Sequence, residues 1–408
     1  MGSSEAKDSL ETETIPTSEE DERQLLFAST YRELKAFAPL KPLTLPPHAG
    51  DKTDSAFQLG IREALAEARR AGQANPIVVG AIPFDEYAPS CLYVPHRYEW
   101  RARGVPKRRA GMAKALPRLL DQRSLPDERG FKRAVEQAIV NFGFGDIRKA
   151  VLSVMHELHF SAPLDVDRLL DGLGTHNPEG YRFRIPLMDG ANLIGVSPEL
   201  LLEKKAQRVV SNPLAGTAKR VPNPDLDREA AERLLQSAKD RYEHRLVVDD
   251  VLRALEPQCT ELIGPERPSL LATTALWHLS TRIEGQLRDP DVTALQLACR
   301  LHPTPAVCGY PTQGARRLIG LIEPFERGLF TGMVGWCDMA GNGEWVVTIR
   351  CGTVKQNIVR LFAGAGIVEG SQPDAEWAEV QAKLGTMLRV CGIPAEERSP
   401  RIAREMPS

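Results

Sequence analysis

A small set of charged residues in this chain stands where charge is costly. Glu376 and Glu379 fall on a helix-periodic segment, 373–390, with Lys383 one turn further on. At about 100° per residue, Trp377, Val380, Leu384, Met387, Leu388 and Cys391 make one apolar stripe, and the three charged residues flank it. Charge at the margin of a buried face is how a cavity wall reads. The same spacing also fits a solvent-facing Glu379–Lys383 pair, worth about 0.3–0.5 kcal/mol. Glu243 repeats the pattern on a helical segment at about 226–256, with Leu246 and Val247 on the next turn and Lys239 four residues earlier as a plain ion-pair partner. A buried carboxylate without a partner is strongly unfavourable, so it calls for a cation or a proton. Glu243, Glu376 and Glu379 together could offer hard oxygen ligands to Mg²⁺ and leave positions for water and substrate.

Acid–base candidates lie elsewhere. Lys149 opens the apolar run Lys149-Ala150-Val151-Leu152-Ser153 after the turn Gly143-Phe144-Gly145-Asp146. A lysine entering a buried strand can lose its proton through desolvation and act as a general base; a lysine snorkelling to solvent fits the same pattern. Glu199 follows Ser197-Pro198 at the mouth of Leu200-Leu201-Leu202, where an acid can hold its proton and act as general acid, or simply face water. Arg350, in Val347-Thr348-Ile349-Arg350, and the run Ala363-Gly364-Ala365-Gly366, read as a glycine loop with free N–H groups, suit an anion. With the proline-stiffened turn His302–Gly309, they complete a pocket for an anionic small molecule held partly through a divalent cation.

Other motifs fail. His156-Glu157-Leu158-His159 has its histidines three apart, not four, and is read as structural. The glycine run lacks the lysine of a P-loop and the spacing of a dinucleotide fingerprint, and there is no G-x-S-x-G elbow.

The elements that must place these residues are strands and long helices in mixed order. Residues 329–337, Trp345–Cys351 and Ile358–Ala363 read as strands of an antiparallel meander, turned at Asn342-Gly343 and near Lys355-Gln356-Asn357. Helical periodicity covers about 129–142, 226–256 and 373–390, with Ser371 and Asp374 as a capping box and Pro373 in the first turn. That mixture predicts an α+β fold. At 408 residues and 42% hydrophobic, the chain can bury a large core. A net charge of −2 gives no global argument for nucleic acid or an anionic membrane surface. No apolar run approaches the roughly 20 residues of a membrane span. The basic run Arg97–Arg109 lacks interleaved aromatics and reads as a solvated loop. Seven cysteines without C-x-x-C spacing predict reduced thiols in a cytoplasmic protein. Eight acids within residues 1–23 mark an acidic tail, set at 1–25, and a polar tail is set at 393–408.

Several longer segments, in order along the chain, strongly resemble the isochorismate synthases. These belong with anthranilate, aminodeoxychorismate and salicylate synthases among the chorismate-utilising enzymes. The segments are Gly80-Ala81-Ile82-Pro83-Phe84-Asp85, Ser197-Pro198-Glu199-Leu200-Leu201, Pro213-Leu214-Ala215-Gly216-Thr217, Ala238-Lys239-Asp240-Arg241-Tyr242-Glu243-His244 and the C-terminal run from His302. The resemblance covers about residues 55–392. Lys149 stands where ammonia-using members usually carry glutamine, and Ala215 where aminodeoxychorismate synthases place a nucleophilic lysine, which implies water as the incoming group. Val154 departs from the pattern, since relatives commonly have arginine there, and the change is expected to alter packing near Lys149.

The resemblance implies one catalytic domain, 26–392, of large antiparallel sheets packed face to face with helices outside. It implies Mg²⁺-dependent, reversible conversion of chorismate to isochorismate, with Lys149 as base and Glu199 as acid. Glu243 and Glu379 would hold the metal with Glu376 close by. Gly216, Thr217, Ala306, Arg350, Gly364 and Lys383 would bind the substrate. A monomer working without a glutamine amidotransferase is expected, on a siderophore branch. Salicylate synthase and a menaquinone-pathway isochorismate synthase are the alternatives.

Overall fold

The computed structural model describes residues 24–104 and 115–393. The acidic tail up to residue 23, Lys107–Arg109 of the basic run, and the polar tail from residue 394 lie outside the described residues. Leu25 and Ile393, at the two predicted domain edges, are buried.

Seventeen strands form one antiparallel ladder. Its pairings run Cys259–Ile263, Ile283–Leu287, Arg208–Asn212, Leu200–Lys205, Gly343–Val347, Met333–Asp338, Ile77–Ile82 and Cys91–Ala102. They continue through Arg32–Leu43, Leu25–Ala28, Tyr181–Pro186, Asn192–Ser197, Cys351–Lys355, Ile358–Ile367 and Lys149–Phe160. The far edge of Lys149–Phe160 takes Leu119–Leu125 at one end and Gly309–Tyr310 at the other. The ladder folds back so that its halves pack face to face, one core joining Leu200, Val334 and Val346 of its first half to Phe183, Leu193 and Cys351 of its second. Helices Ala56–Arg70 and Ala294–Leu301 cover the first half on the outside. Glu128–Phe142, Val166–His176, Thr312–Ile322 and Pro373–Val390 cover the second. The expected architecture, sheets face to face with helices outside, is the one observed.

Three places let the chain pass between layers. It leaves Asn192–Ser197 and re-enters the other half at Leu200, and it leaves Gly343–Val347 and re-enters at Cys351. Pro213 and Thr281 carry it into and out of a small sheet of Leu214–Lys219, Leu276–Ser280 and Ser269–Ala272. Helices Pro224–Gln236 and Ala238–Leu255 lie beside that small sheet.

Several local expectations need correction. The helix expected over 226–256 is two, broken at Ser237, whose extended backbone lets its hydroxyl accept the Asp240 N–H as an N-cap. Ser371 does not cap the C-terminal helix; Gln372 stands at that position, and the Ser371 hydroxyl instead accepts the Val368 N–H. The turn before Gly343–Val347 places its left-handed glycine at Gly341, not Gly343. Trp345–Cys351 is not one strand, since it breaks at Thr348–Arg350 to change layers. Val154 packs in the core under the outer helices, one strand position out of phase with Lys149, so its departure does not touch the lysine. His156–His159 is structural: Glu157 is buried and held by Arg123, Arg360 and His159. All seven cysteines are free thiols.

A buried ion pair fixes the His302–Gly309 turn. Arg327 meets Glu323 through Nε at 2.7 Å and Nη2 at 2.6 Å, then donates to Val307 O at 2.8 Å and Val151 O at 2.7 Å. Glu323 also accepts the Ser153 N–H at 2.8 Å. The pair therefore ties the turn to the strand that begins with Lys149. Removing one partner strands a buried charge, so Arg327→Met is expected to destabilise the protein by about 3–5 kcal/mol. The double change Arg327→Met/Glu323→Leu should recover part of that loss in urea unfolding followed by tryptophan fluorescence.

Candidate active site

All three crossings converge on one small cavity, partly open to solvent. Glu199, Gly216, Thr217, Glu243, Ala306, Arg350, Gly364, Glu379 and Lys383 line it, so nine residues singled out in the sequence share one wall. Lys149 and Glu376 stand just behind that wall.

Glu199 sits in the first crossing. It is 3% exposed, and its Oε1 accepts the Leu214 N–H at 3.4 Å. Burial pushes its carboxyl up to about 7, against the opposing pull of that N–H and of Lys149, Arg350 and Lys383. It is a carboxyl able to carry a proton near neutral pH. Arg350 sits in the second crossing with left-handed backbone, φ 49°. Its Nη2 lies 3.4 Å from Nε2 of His278, and burial lowers its guanidinium to about 10. Among the described residues no carboxylate lies within ion-pairing distance of it, so a buried cation faces the cavity without an anionic partner.

Each of the three lysines here has a glutamate. Lys149, fully buried, places Nζ 3.0 Å from Oε1 of Glu243, off the axis of a hydrogen bond. Lys239 does not pair with Glu243, its helical neighbour, but reaches across to Glu376 at 2.6 Å. Lys383 pairs with Glu379 at 2.6 Å and also donates to Gly364 O at 2.7 Å. The i,i+4 pair on the last helix is real, but it is part of the cavity wall.

The glycine run is not a loop. Ala363–Gly366 continue the strand Ile358–Ile367 against Val151–Val154. Gly364 stands opposite Ser153, whose N–H turns away to Glu323, so the C=O and N–H of Gly364 also point off that ladder. Gly366 has a separate reason to be glycine. A Cβ there would lie 2.1 Å from Oε1 of Glu243 and 3.0 Å from Cε of Lys149. Gly216 holds φ 75°, a conformation that favours glycine.

No three His, Cys, Asp or Glu side chains among the described residues stand as a ready-made cage for a metal ion. Glu243 and Glu379 nevertheless face the same cavity as hard oxygen donors. Burial, and then repulsion from Glu379, raises the Glu376 carboxyl. Clustered acids of this kind suit a hard divalent cation, which would relieve the repulsion.

Sequence reasoning missed His278. Its Nδ1 lies 3.3 Å from the Thr217 hydroxyl and its Nε2 beside Arg350, and burial drives its pKa well below the usual histidine value. A single histidine in an apolar strand carries no motif, and only the pairing of Leu214–Lys219 with Leu276–Ser280 brings it to the site. Phe330, Phe362 and Thr331, the last with φ 59°, complete the apolar side of the cavity.

The family model of the chorismate binding enzyme matches residues 99–392. The chain belongs to the chorismate-binding enzymes. Within that family it is 44% identical to the isochorismate synthase EntC of Escherichia coli over 91% of this chain and 95% of EntC. It is 41% identical to the vibriobactin-specific isochorismate synthase of Vibrio cholerae over 81% of this chain and 83% of that protein. The crystal structure of DhbC from Bacillus anthracis superposes with a TM-score of 0.84 at 40% identity, covering 91% of this chain and 97% of DhbC.

In this chorismate-binding enzyme, Gly366→Ala tests the packing beneath Glu243. The added methyl displaces the end of a flexible side chain, so far-UV circular dichroism should stay native. Turnover of chorismate should fall by about 10²-fold, the effect of a misplacement near 1 Å.

Proposed function

We propose that the protein is an isochorismate synthase, converting chorismate reversibly to isochorismate by adding water at ring C2 with loss of the C4 hydroxyl. One observation carries this reading best. A protonatable buried acid, Glu199, and a guanidinium without a carboxylate partner, Arg350, line one cavity, with a buried lysine, Lys149, behind its wall against Glu243. The identity to EntC and to the vibriobactin-specific enzyme supports the same reaction.

In the forward direction Lys149 takes a proton from the attacking water. Its Nζ lies 3.0 Å from Glu243 Oε1 but off the axis of a hydrogen bond, so the ion pair leaves its N–H directions open to that water. Glu199, whose carboxyl burial raises so that its protonated form is available near neutral pH, gives that proton to the departing C4 oxygen as the ring double bond shifts. The roles exchange in the reverse direction. Arg350 and the Gly364 N–H take the enolpyruvyl carboxylate, a bidentate fork being arginine's strength. Gly216, Thr217, Ala306 and Lys383 complete the contacts and fix the ring. Glu243 and Glu379, with Glu376 beside them, would hold Mg²⁺, which when bound neutralises the ring carboxylate and polarises that end of the substrate. Ala215, small and without an amine, leaves water as the incoming group.

The enzyme works as a cytoplasmic monomer without an amidotransferase, and its product enters siderophore biosynthesis, the branch to which the name of the Vibrio cholerae relative points. No helix among the described residues is long and apolar enough to cross a membrane.

Purified protein incubated with chorismate and Mg²⁺ should give isochorismate, stopping at a mixture, and EDTA should abolish it. Salicylate plus pyruvate as main products would reassign the reaction. Lys149→Ala should lose about 10²–10⁴-fold in turnover, the usual contribution of acid–base catalysis, while still binding chorismate by calorimetry. The pH profile tests Glu199 separately. Because the general acid must be protonated, Glu199 should contribute a limb to kcat/KM in the forward direction that falls as pH rises through about 7. Glu199→Gln should be nearly inactive and lack that limb. A forward rate climbing through this range would exclude Glu199 as the acid.

A further inference from the structure

Lys239 has no part in the mechanism above, yet its ammonium is paired with one of the three carboxylates assigned to the divalent cation and feels the charge of the other two. Its Nζ is 2.6 Å from Oε1 of Glu376, and Glu243 and Glu379 also act on it electrostatically. Resting on that reading of the three glutamates, we propose that Lys239 is a tethered place-holder: it neutralises the acid cluster before the divalent ion arrives and must be displaced for Glu376 to approach the ion.

The three lysines facing these glutamates are not equivalent. Lys149 has a fully buried side chain that has no room to swing into solvent. Lys383 is 14% exposed and anchored a second time by Gly364 O. Lys239 is 32% exposed and makes its one hydrogen bond to Glu376, which is itself 1% exposed. A compact ammonium on a flexible four-carbon stem can swing into water at little cost. A buried carboxylate left without any cation cannot be tolerated as easily. Release of Lys239 is therefore the step most readily coupled to cation entry, and the strength of its hold on Glu376 sets the affinity for the ion.

Mn²⁺ serves as the probe, with binding to the full chain followed by electron paramagnetic resonance and thermal unfolding measured with and without the ion. Lys239→Met removes the competing charge and should tighten Mn²⁺ binding about tenfold or more. It should also lower the metal-free Tm and enlarge the rise in Tm on adding Mn²⁺. Lys239→Gln keeps a donor for Glu376 and tests the loss of charge even if the methionine variant does not fold. Lys239→Arg, which keeps the charge, should not tighten binding. Lys132→Met, which removes the half-buried partner of Asp374 on the same helix as Glu376, should leave Mn²⁺ affinity unchanged. Unchanged or weaker Mn²⁺ binding in a folded Met or Gln variant would overturn the proposal while leaving the ligand assignment standing. A wild-type protein that binds no Mn²⁺, or binds it equally well after Glu243→Gln and Glu379→Gln, would overturn the ligand assignment and this inference with it.

Discussion

Two backbone hydrogen bonds join the points where the chain changes layers. The Val347 N–H donates to Glu199 O at 3.2 Å, and the Val196 N–H donates to Arg350 O at 3.1 Å. A strand that leaves its ladder exposes amide groups which must find partners. Here each crossing supplies the other, so neither can move alone. The acid and the guanidinium are thereby held by the sheet itself, not by a surface loop. The third crossing joins the same knot, since the Leu214 N–H just beyond Pro213 reaches the Glu199 carboxylate. Preorganisation of this kind is what acid–base chemistry on a small ring requires.

Around that knot the charges are arranged so that one is left over. Lys149, Lys239 and Lys383 each face a glutamate, and Arg327 is matched by Glu323. Arg350 faces neutral His278 instead. The missing anion must come from outside the protein, which agrees with a substrate bearing carboxylates. Glu199 eases the opposite problem, because burial raises its carboxyl to about 7 despite the three nearby cations, so it can carry a proton near neutral pH.

Much of this was legible in the sequence, and the failures have physical causes. The last helix could be read because its apolar stripe repeats at helical period, and the flanking glutamates followed from the same geometry. Glu199 was visible as an acid at the mouth of an apolar strand, although only the fold shows that this mouth is a crossing. The partner of Lys239 was misread because spacing along one helix favours Glu243, while the partner actually chosen is 137 residues away. Glycines at 364 and 366 hid the continuation of the strand read at Ile358–Ala363, because residues suited to close approach lack the β-branched signal that marks one. Ser237, followed three residues later by Asp240, carried a cap signal inside what looked like one long helix. His278 was silent, since a tertiary contact leaves no trace in local spacing.

The seven free thiols add a property of a different kind. Burial raises every one of them above the ordinary cysteine value, Cys308 to about 11 and Cys337 and Cys391 to about 12. Since the thiolate is the reactive form, these thiols are expected to react more slowly with alkylating reagents in the folded molecule than once the layers separate. The protein thus carries its own reporters of unfolding, distributed through both halves of the ladder and the helices that cover it.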